Sequence, residues 1–227
     1  MGRPAADRRE DLVALYKEAR ACTACPLHAT RTQVVFGAGN ADADLMFVGE
    51  APGFHEDQQG IPFVGRAGQL LNQLLEEQGI ARDDVFITNV LKSRPPDNRD
   101  PQPDEIETCR PYLERQVELI EPRVICTLGN FSTKLLTGSP QGITRVHGQP
   151  QERRLGQRTV QLFPIFHPAA GLRTPKVKEQ LREDFAKLPA LLAEPVPQEP
   201  APDAGHAAAQ PPADQPPPAD QLGLFGG

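Results

Sequence analysis

Four short apolar segments, each followed by a loop and a helix-like segment, constrain the fold of this chain more than any other feature. They are LMFVG (45–49), VFITNV (85–90), RVICTLG (123–129) and the apolar part of VQLFPIFHP (160–168). Continuous apolar runs of this length are typical of strands buried on both faces. Helical patterns cover 7–21, 66–78, 103–120, 130–137 and 175–193. The alternation predicts an α/β fold in which helices cover both faces of a central four-stranded parallel sheet.

The C-terminal segment differs from the rest of the chain in composition. Residues 194–227 are rich in proline and alanine and carry five acidic residues but no lysine or arginine. Such a segment cannot bury enough apolar surface to fold by itself. We therefore expect one folded domain at 1–193 and a disordered acidic tail at 194–227. The net charge of −6 for the chain becomes −1 for the domain alone, which leaves nucleic-acid binding open.

The chain has the features of a cytoplasmic protein. It contains no apolar run of about 18 residues, so we expect no membrane span. The first residues, MGRPAADRREDLV, lack the apolar stretch of a secretory signal. In a reducing compartment, the four cysteines favour metal or cluster ligation, or simple burial, over disulfides.

In a parallel sheet, binding sites lie beyond the carboxyl ends of the strands. This rule selects four loops, at 50–65, 89–99, 129–132 and 167–173. The first begins with GEAPG (49–53), whose glycines allow the backbone to approach a ligand closely. Glu50 in this motif could position a water molecule or stabilise positive charge, whereas the alternative interpretation is an ordinary turn between strand and helix.

Three further side chains in these loops carry possible binding chemistry. Phe63 lies between glycine-bounded turns and suits stacking on a flat ring, or it fills the core beneath the loop. Asn89 offers a donor and an acceptor side by side, which match an edge of a pyrimidine or an amide, or it caps the following loop. His167 could donate to a developing anion or transfer a proton, or it is structural.

Basic residues in the same loops could bind phosphate groups, or they are solvated surface charges. They are Arg94, Arg99 and Arg173.

The cysteines suggest a metal centre with an incomplete set of ligands. Cys22 and Cys25 form a CxxC unit, which is common in sites for soft metals, and Cys109 is a possible distant ligand. Cys126 lies inside the apolar strand VICTL and is better interpreted as a buried free thiol. Three cysteines therefore remain as candidate ligands, and a site with four ligands would lack one.

Together these motifs resemble the family 4 uracil-DNA glycosylases, the iron–sulfur branch of that superfamily. The resemblance covers residues 22–192. It includes CTACPLHATRTQVVFGAGN, VGEAPGFHEDQQGIPFVGRAGQLLN, ITNVLKSRPPDNRDPQPDEIETCRPYL, VICTLG and FHPAAGLR, in this order. It implies a three-layer α/β/α sandwich that flips uracil out of single- or double-stranded DNA and excises it by hydrolysis. We expect a monomeric, nucleoid-associated bacterial enzyme of base excision repair.

The resemblance assigns roles to individual residues. Phe63 would stack on uracil, and Asn89 would accept from N3–H and donate to O4, which rejects cytosine. His167 would stabilise charge at O2 as the N-glycosidic bond breaks. Glu50 would position the hydrolytic water or stabilise the sugar cation, and the backbone at Gly49 would line the pocket.

One departure from the family affects the cofactor. The family holds a 4Fe–4S cluster with a CxxC unit, a cysteine in KCRPP and a cysteine in ETCRP, but this chain has KSRPP. Cys22, Cys25 and Cys109 match, whereas Ser93 stands at the remaining position. The alternatives are a cluster with Ser93 alkoxide or water as fourth ligand, a labile or three-iron cluster, or no cluster. We favour a structural cluster held by three cysteines.

A related branch of the superfamily bonds covalently to its product. It carries GEQPG and a long basic loop with a reactive histidine after the second strand. This chain has GEAPG and the histidine-free loop SRPPDNRDPQ, so we expect ordinary hydrolytic turnover.

The end of the tail, QLGLF, resembles the pentapeptide by which bacterial repair and replication proteins bind the sliding clamp. Apolar anchors on a disordered tether bind a pocket and raise the local concentration of the tethered domain. The alternative is a chance apolar C-terminus. The candidate anchors are Gln221, Leu222, Leu224 and Phe225.

Two other functions compete with excision. A non-catalytic DNA-binding protein or iron–sulfur sensor on the same fold would suit the missing cysteine, but the intact GEAPG, PFVGR, TNV and HPAA motifs argue against such a loss. A nucleotide-binding protein would need GxGxxG or GxxxxGK[ST] after the first strand, and neither is present.

Overall fold

The computed structural model describes residues 3–194, so all of the predicted tail except Glu194 lies outside the described residues. The strands are β1 Ala38–Gly39, β2 Leu45–Gly49, β3 Phe86–Asn89, β4 Val124–Leu128, β5 Gln151–Leu155 and β6 Arg158–Ile165. The helices are α1 Ala5–Ala21, α2 Phe54–Gln59, α3 Arg66–Glu76, α4 Pro103–Ile120, α5 Asn130–Thr137, α6 Ile143–Val146, α7 Pro168–Gly171, α8 Pro175–Phe185 and α9 Leu188–Ala193. Short 3-10 turns lie at Pro26–Ala29, Arg82–Asp84 and Pro96–Asn98. None of the helices in residues 3–194 has the length and apolar character needed to cross a membrane.

One six-stranded sheet runs through the domain in the order β1-β3-β2-β4-β6-β5. Its four central strands are parallel, which confirms the predicted parallel sheet. Two antiparallel edge strands, β1 and β5, were not predicted. They give little signal because β1 has two residues and β5, QERRL, has no apolar run.

The core lies on both faces of the sheet. Along β2, Met46 and Val48 pack on the same side as α1 and α4, whereas Leu45 and Phe47 pack on the side of α3 and α8. On the latter side, α3 presents a buried stripe of leucines. This stripe consists of Leu70, Leu71, Leu74 and Leu75. The three-layer α/β/α arrangement is therefore confirmed.

Two predicted segments differ in detail from the structure. The loop at 50–65 contains the helix α2, which ends at Gly60 with a left-handed φ of 71°. The single helix predicted at 175–193 is wrong, because the chain forms α8 and α9 with a break after Phe185. Pro189 causes the break: a proline has no N–H to continue the helix, but it fits the first turn of a new one.

The strand order creates a cleft at the carboxyl edge of the sheet. The chain passes from β2 to its neighbour β3 and then crosses to β4 on the other side of β2. The loops after β2 and β4 therefore leave in different directions. Such a switch point opens a crevice between them, which is where ligands bind in open α/β sheets.

Candidate active site

A cleft of about 590 Å³ lies at this switch point. The polar residues and the glycine of its lining come from the loops after β2, β4 and β6, from the segment before α4 and from α5. These residues are Glu50, Asp100, Gly129, Asn130, Lys134 and His167. Burial, and to a lesser extent the charge of Asp100, raise the pKa of the Glu50 carboxyl above its usual range. The structure thus brings Glu50 and His167 to one cavity.

Gly49 brings Asn89 and Phe63 together beside the cleft. Gly49 and Asn89 are partners in the register of β2 and β3. A Cβ atom at Gly49 would lie 2.3 Å from Asn89 Oδ1 and 3.0 Å from Phe63 Cζ, so any larger residue would push both away. Asn89 is 2% exposed. Its backbone carbonyl accepts a hydrogen bond from Lys92, but its side-chain amide has no partner within residues 3–194 and is available to a ligand.

Phe63 is held in a tight loop and has a positive φ of 56°. Helix α3 approaches the loop so closely that a Cβ at Gly68 would lie 1.6 Å from the Phe63 carbonyl oxygen. Glu56 accepts hydrogen bonds from the backbone N–H groups of Val64 and Gly65. The Phe63 ring is buried against the core, and its centroid lies 5.7 Å from that of His167, with 29° between the planes. Both interpretations of Phe63, core residue and stacking surface, are compatible with this position.

His167 is a neutral hydrogen-bond donor near pH 7. Its Nδ1 accepts a hydrogen bond of 3.1 Å from Ala169 N–H, so the proton of the neutral ring is on Nε2. Burial and the charge of Arg173 lower the pKa of His167 to about 4, while Glu56 opposes the shift. A Cβ at Gly129 would lie 3.0 Å from His167 Cβ, so this glycine also makes room for the imidazole.

The three candidate phosphate-binding arginines have different surroundings. Arg99 donates two hydrogen bonds to the buried carboxylate of Glu105, at 2.9 and 2.6 Å, and braces the loop before α4. The guanidinium of Arg94 is held by Asn98 Oδ1 and lies over the ring of Phe54. Arg173 is exposed. Contact of these arginines with DNA stays a prediction, and the ion pair makes Arg99 the least available of the three.

Lys92 was not identified from the sequence, because it reads as an ordinary polar residue at the end of an apolar run. It is 3% exposed, and its Nζ donates to Asn89 O at 2.6 Å, Gln116 Oε1 at 2.7 Å and Thr88 Oγ1 at 2.8 Å. Burial lowers the pKa of Lys92 to about 7, and the neighbouring Cys109 acts in the opposite direction. Lys92 thus fixes the end of the strand that carries Asn89.

Asp100 and Lys134 in the cleft were also not singled out. Asp100 lines the cleft and directly follows Arg99 in the chain. Arg99 is held by its ion pair with Glu105, and no local sequence pattern predicts that ion pair. Lys134 lies on α5, after a loop that the strand-end rule selected without assigning a residue.

Three of the four cysteines lie near one another. The charges of Cys22 and Cys25 both act on Cys109, whose pKa is raised mainly by burial. The backbone N–H groups of Lys92 and Leu27 donate to Cys109 and Cys25 respectively, which favours the thiolate forms. Cys126 is fully buried in β4 on the other face of the sheet, as its apolar surroundings predicted.

Ser93 lies beside the cysteine segment. Its Oγ accepts a hydrogen bond of 3.3 Å from Arg31, which also donates to the carbonyl oxygen of Cys22 at 2.7 Å. Within residues 3–194, no group of three or more His, Cys, Asp or Glu side chains has the arrangement to bind a single metal ion. The ligands of a cluster bind separate iron atoms, so three neighbouring thiols with N–H donors fit a cluster better than a mononuclear site.

The fold and the cleft define a class of protein: a three-layer α/β/α sandwich with its candidate site at the switch point of the sheet. The family model of the Uracil DNA glycosylase superfamily matches residues 36–188. The chain therefore belongs to the uracil DNA glycosylase superfamily.

Curated relatives narrow the similarity to one type within the superfamily. The type-4 uracil-DNA glycosylase of Sulfurisphaera tokodaii is 46% identical over 184 residues, which are 79% of this chain and 84% of the relative. That of Archaeoglobus fulgidus is 45% identical over 183 residues, 79% of this chain and 92% of the relative. That of Saccharolobus solfataricus is 46% identical over 183 residues, 78% of this chain and 84% of the relative.

Proposed function

We propose that this protein excises uracil from DNA by hydrolysis of the N-glycosidic bond and leaves an abasic site. The observation that carries the proposal is the Asn89 side-chain amide, which has no hydrogen-bond partner within residues 3–194. It is buried next to Phe63, at the edge of a cleft lined by His167 and Glu50. This arrangement occurs in a chain whose relatives are named type-4 uracil-DNA glycosylases.

Base recognition follows from the chemistry of the pocket. An enzyme that acts on a base in DNA must flip the nucleotide out of the stack. Asn89 then accepts from uracil N3–H and donates to O4, while Phe63 stacks on the ring. Cytosine presents an acceptor at N3 and a donor at N4, so it would leave the buried amide with mismatched hydrogen bonds.

Bond cleavage creates an anionic base and a cationic sugar. Neutral His167 donates from Nε2 to uracil O2, where negative charge develops, without requiring a charged imidazole. Glu50 orients the attacking water or stabilises the sugar cation. Fixed groups aimed at developing charge are an effective form of catalysis, so no strong nucleophile is needed.

The test is excision from a fluorescent oligonucleotide with one uracil, followed by alkaline cleavage of the abasic site. We expect cleavage by the wild type, a large loss in Asn89→Ala, and relaxed discrimination between uracil and cytosine in Asn89→Asp. Asn40→Ala is the control, because Asn40 lies in the loop before β2 and its side chain only holds Asp42 N–H. No cleavage by a folded, iron-loaded wild type would instead indicate a non-catalytic DNA-binding protein.

We also propose that Cys22, Cys25 and Cys109 hold a 4Fe–4S cluster, with Ser93 or water at the fourth position. The mutual proximity of these thiols and their N–H donors support this assignment. When bound, the cluster supplies a structural cross-link between the segment after α1, the loop after β3 and α4. Iron and acid-labile sulfide should be lost in Cys109→Ala but retained in Cys126→Ala.

The tail and the location remain sequence-based parts of the proposal. The domain boundary at 193, the disordered tail and the QLGLF segment lie at or beyond the end of the described residues. We propose that Gln221, Leu222, Leu224 and Phe225 bind the sliding clamp. Deletion of residues 221–227 should abolish clamp binding and leave excision from short oligonucleotides unchanged. The cytoplasmic, nucleoid-associated location in a bacterium stays a prediction.

A further inference from the structure

Some of the large exposed apolar side chains lie near residues of the candidate site along the chain. Within residues 3–194, the large exposed apolar residues are Val13, Tyr16, Phe54, Ile61 and Leu172. Three of these five are close in the chain to pocket residues: Phe54 follows Glu50 by four positions, Ile61 precedes Phe63 by two and Leu172 follows His167 by five. An exposed apolar side chain close to a candidate site is a possible contact for a ligand or partner.

Phe54 is the aromatic member of this group and is held in place. It begins α2 and is 52% exposed. The guanidinium carbon of Arg94 lies 5.3 Å from the centroid of the Phe54 ring, and the His55 ring meets it edge-on at 5.5 Å. Arg94 is in turn fixed by a 2.7 Å hydrogen bond from its Nε to Asn98 Oδ1. The exposed ring is therefore positioned before any ligand binds.

The contact between Phe54 and Arg94 joins the loops that follow two neighbouring parallel strands. Phe54 belongs to the segment after β2, and Arg94 belongs to the segment after β3. Four residues of chain span at most about 14 Å, so Phe54 lies within this distance of Glu50, measured between Cα atoms. Glu50 is the group that acts at the sugar of the flipped nucleotide. A nucleotide next to the flipped one in the same strand could therefore reach this ring.

Both carboxylates of α2 are held by hydrogen bonds within the protein, and a guanidinium lies beside the exposed ring. The carboxylates of α2 are both engaged by backbone N–H groups: Glu56 accepts from Val64 and Gly65, and Asp57 accepts from Thr32. The Arg94 guanidinium lies directly against the ring. An aromatic face binds any nucleobase by stacking, and an adjacent guanidinium can contact the phosphate that follows it.

We propose that Phe54 and Arg94 form a stacking site for the nucleobase adjacent to the uracil in the same DNA strand. This site rests on the proposed excision function and extends it, because it gives the protein a grip on the substrate outside the uracil pocket. Its contribution is to binding rather than to bond cleavage, since neither residue lies at the reacting atoms.

The experiment pairs a protein change with a substrate change. The substrates are a single-stranded oligonucleotide with one uracil and two versions in which the base on the 5′ or the 3′ side is replaced by an abasic tetrahydrofuran unit. On the intact substrate, Phe54→Ala should lose about 5-fold to 160-fold in kcat/KM through a higher KM, the range that stacking of one base provides. On the version that lacks the stacked base, wild type and Phe54→Ala should have nearly equal kcat/KM.

The controls are conservative variants of Phe54 and a variant of a similar aromatic–arginine pair on α1. Phe54→Trp retains a flat ring and should restore the low KM, whereas Phe54→Leu should not. Tyr16 and Arg20 on α1 form a similar exposed pair, with 5.7 Å between the guanidinium carbon and the ring centroid, away from the loops of the cleft. Tyr16→Ala should behave as wild type on all three substrates.

An equal loss on all three substrates, or no loss on any, would overturn the stacking proposal. Failure of the excision proposal has a different signature, because the wild type would then release no uracil from any of them. In that case, dissociation constants measured by fluorescence anisotropy on the same oligonucleotides would still decide whether Phe54 binds the neighbouring base.

Discussion

The cleft and the cysteine site are built in different ways. Gly49, Asn89 and His167 stand at the carboxyl ends of parallel strands, so the register of the sheet fixes their positions. Cys22, Cys25 and Cys109 lie outside the sheet, in the segment after α1 and in α4. Sheet register and core packing can hold the first site without a ligand. The cysteine site brings together separate segments of chain, and we expect its stability to depend on what the thiols bind.

Lys92 connects the two regions. Its backbone N–H donates to Cys109, while its Nζ donates to the carbonyl oxygen of Asn89. Lys92 therefore contacts one thiol and also holds the strand end that carries Asn89. The two sites differ in construction but share this contact.

The largest expected effect is on the excision rate, and it should leave iron binding unchanged. Glu50→Gln should lower the single-turnover excision rate by about 100-fold to 1,000-fold, because a fixed charge aimed at the reacting sugar is lost. Iron content and thermal stability should remain those of the wild type. A Glu50→Gln protein that lost iron would show that the two regions are not separable.

The next effect concerns stacking in the pocket. Phe63→Ala should weaken transition-state binding by about 1–3 kcal/mol, the value of one base stacked on an aromatic ring. The measurement is kcat/KM at a temperature well below the melting transition, with the melting temperature recorded in parallel. A near-wild-type kcat/KM with a lowered melting temperature would assign Phe63 to the core alone.

A smaller effect follows from the pKa of His167, which is lowered from 6.5 to about 4 in the folded protein. As pH falls below 6.5, the unfolded chain binds a proton that the folded protein does not take up until about pH 4. The free energy of unfolding should therefore fall across this interval.

His167→Asn isolates the part of the pH dependence that comes from this imidazole. Urea unfolding at several pH values should give a shallower fall between pH 6.5 and 4 than in the wild type. Equal slopes for the two proteins would mean that His167 titrates normally in the folded state.

The smallest expected effect is in iron content. Ser93→Cys should raise the iron retained after dialysis against a chelator by about one atom per chain, since it supplies the fourth thiolate. Ser132→Cys is the matched control, because Ser132 is fully buried in α5 and donates to Leu128 O. An unchanged iron content in Ser93→Cys would show that position 93 is not a ligand position.

The sequence predicted the parts of the molecule that local pattern determines. Each of the four central strands is an apolar run, and the strand-end rule then places Glu50, Asn89 and His167 at one edge of the sheet. The break before Pro189 could also have been predicted, because a proline within a helical pattern is a direct signal.

Other features depend on contacts between distant segments. The partners of Lys92 come from β3 and α4, and the position of Asp100 depends on an ion pair between Arg99 and Glu105. The strand β5 is recognisable only once β6 is there to pair with it, because its own residues have no apolar pattern. No periodicity or composition in the sequence contains this information.

The two edges of the sheet have a consequence for behaviour in concentrated solution. β1 offers only two residues to a pairing strand, and β5 carries Glu152, Arg153 and Arg154 along its length. Very short strands and charged residues at sheet edges prevent strand-to-strand association between copies. The domain should therefore resist self-association and aggregation at high concentration, and light scattering should give the mass of a single chain.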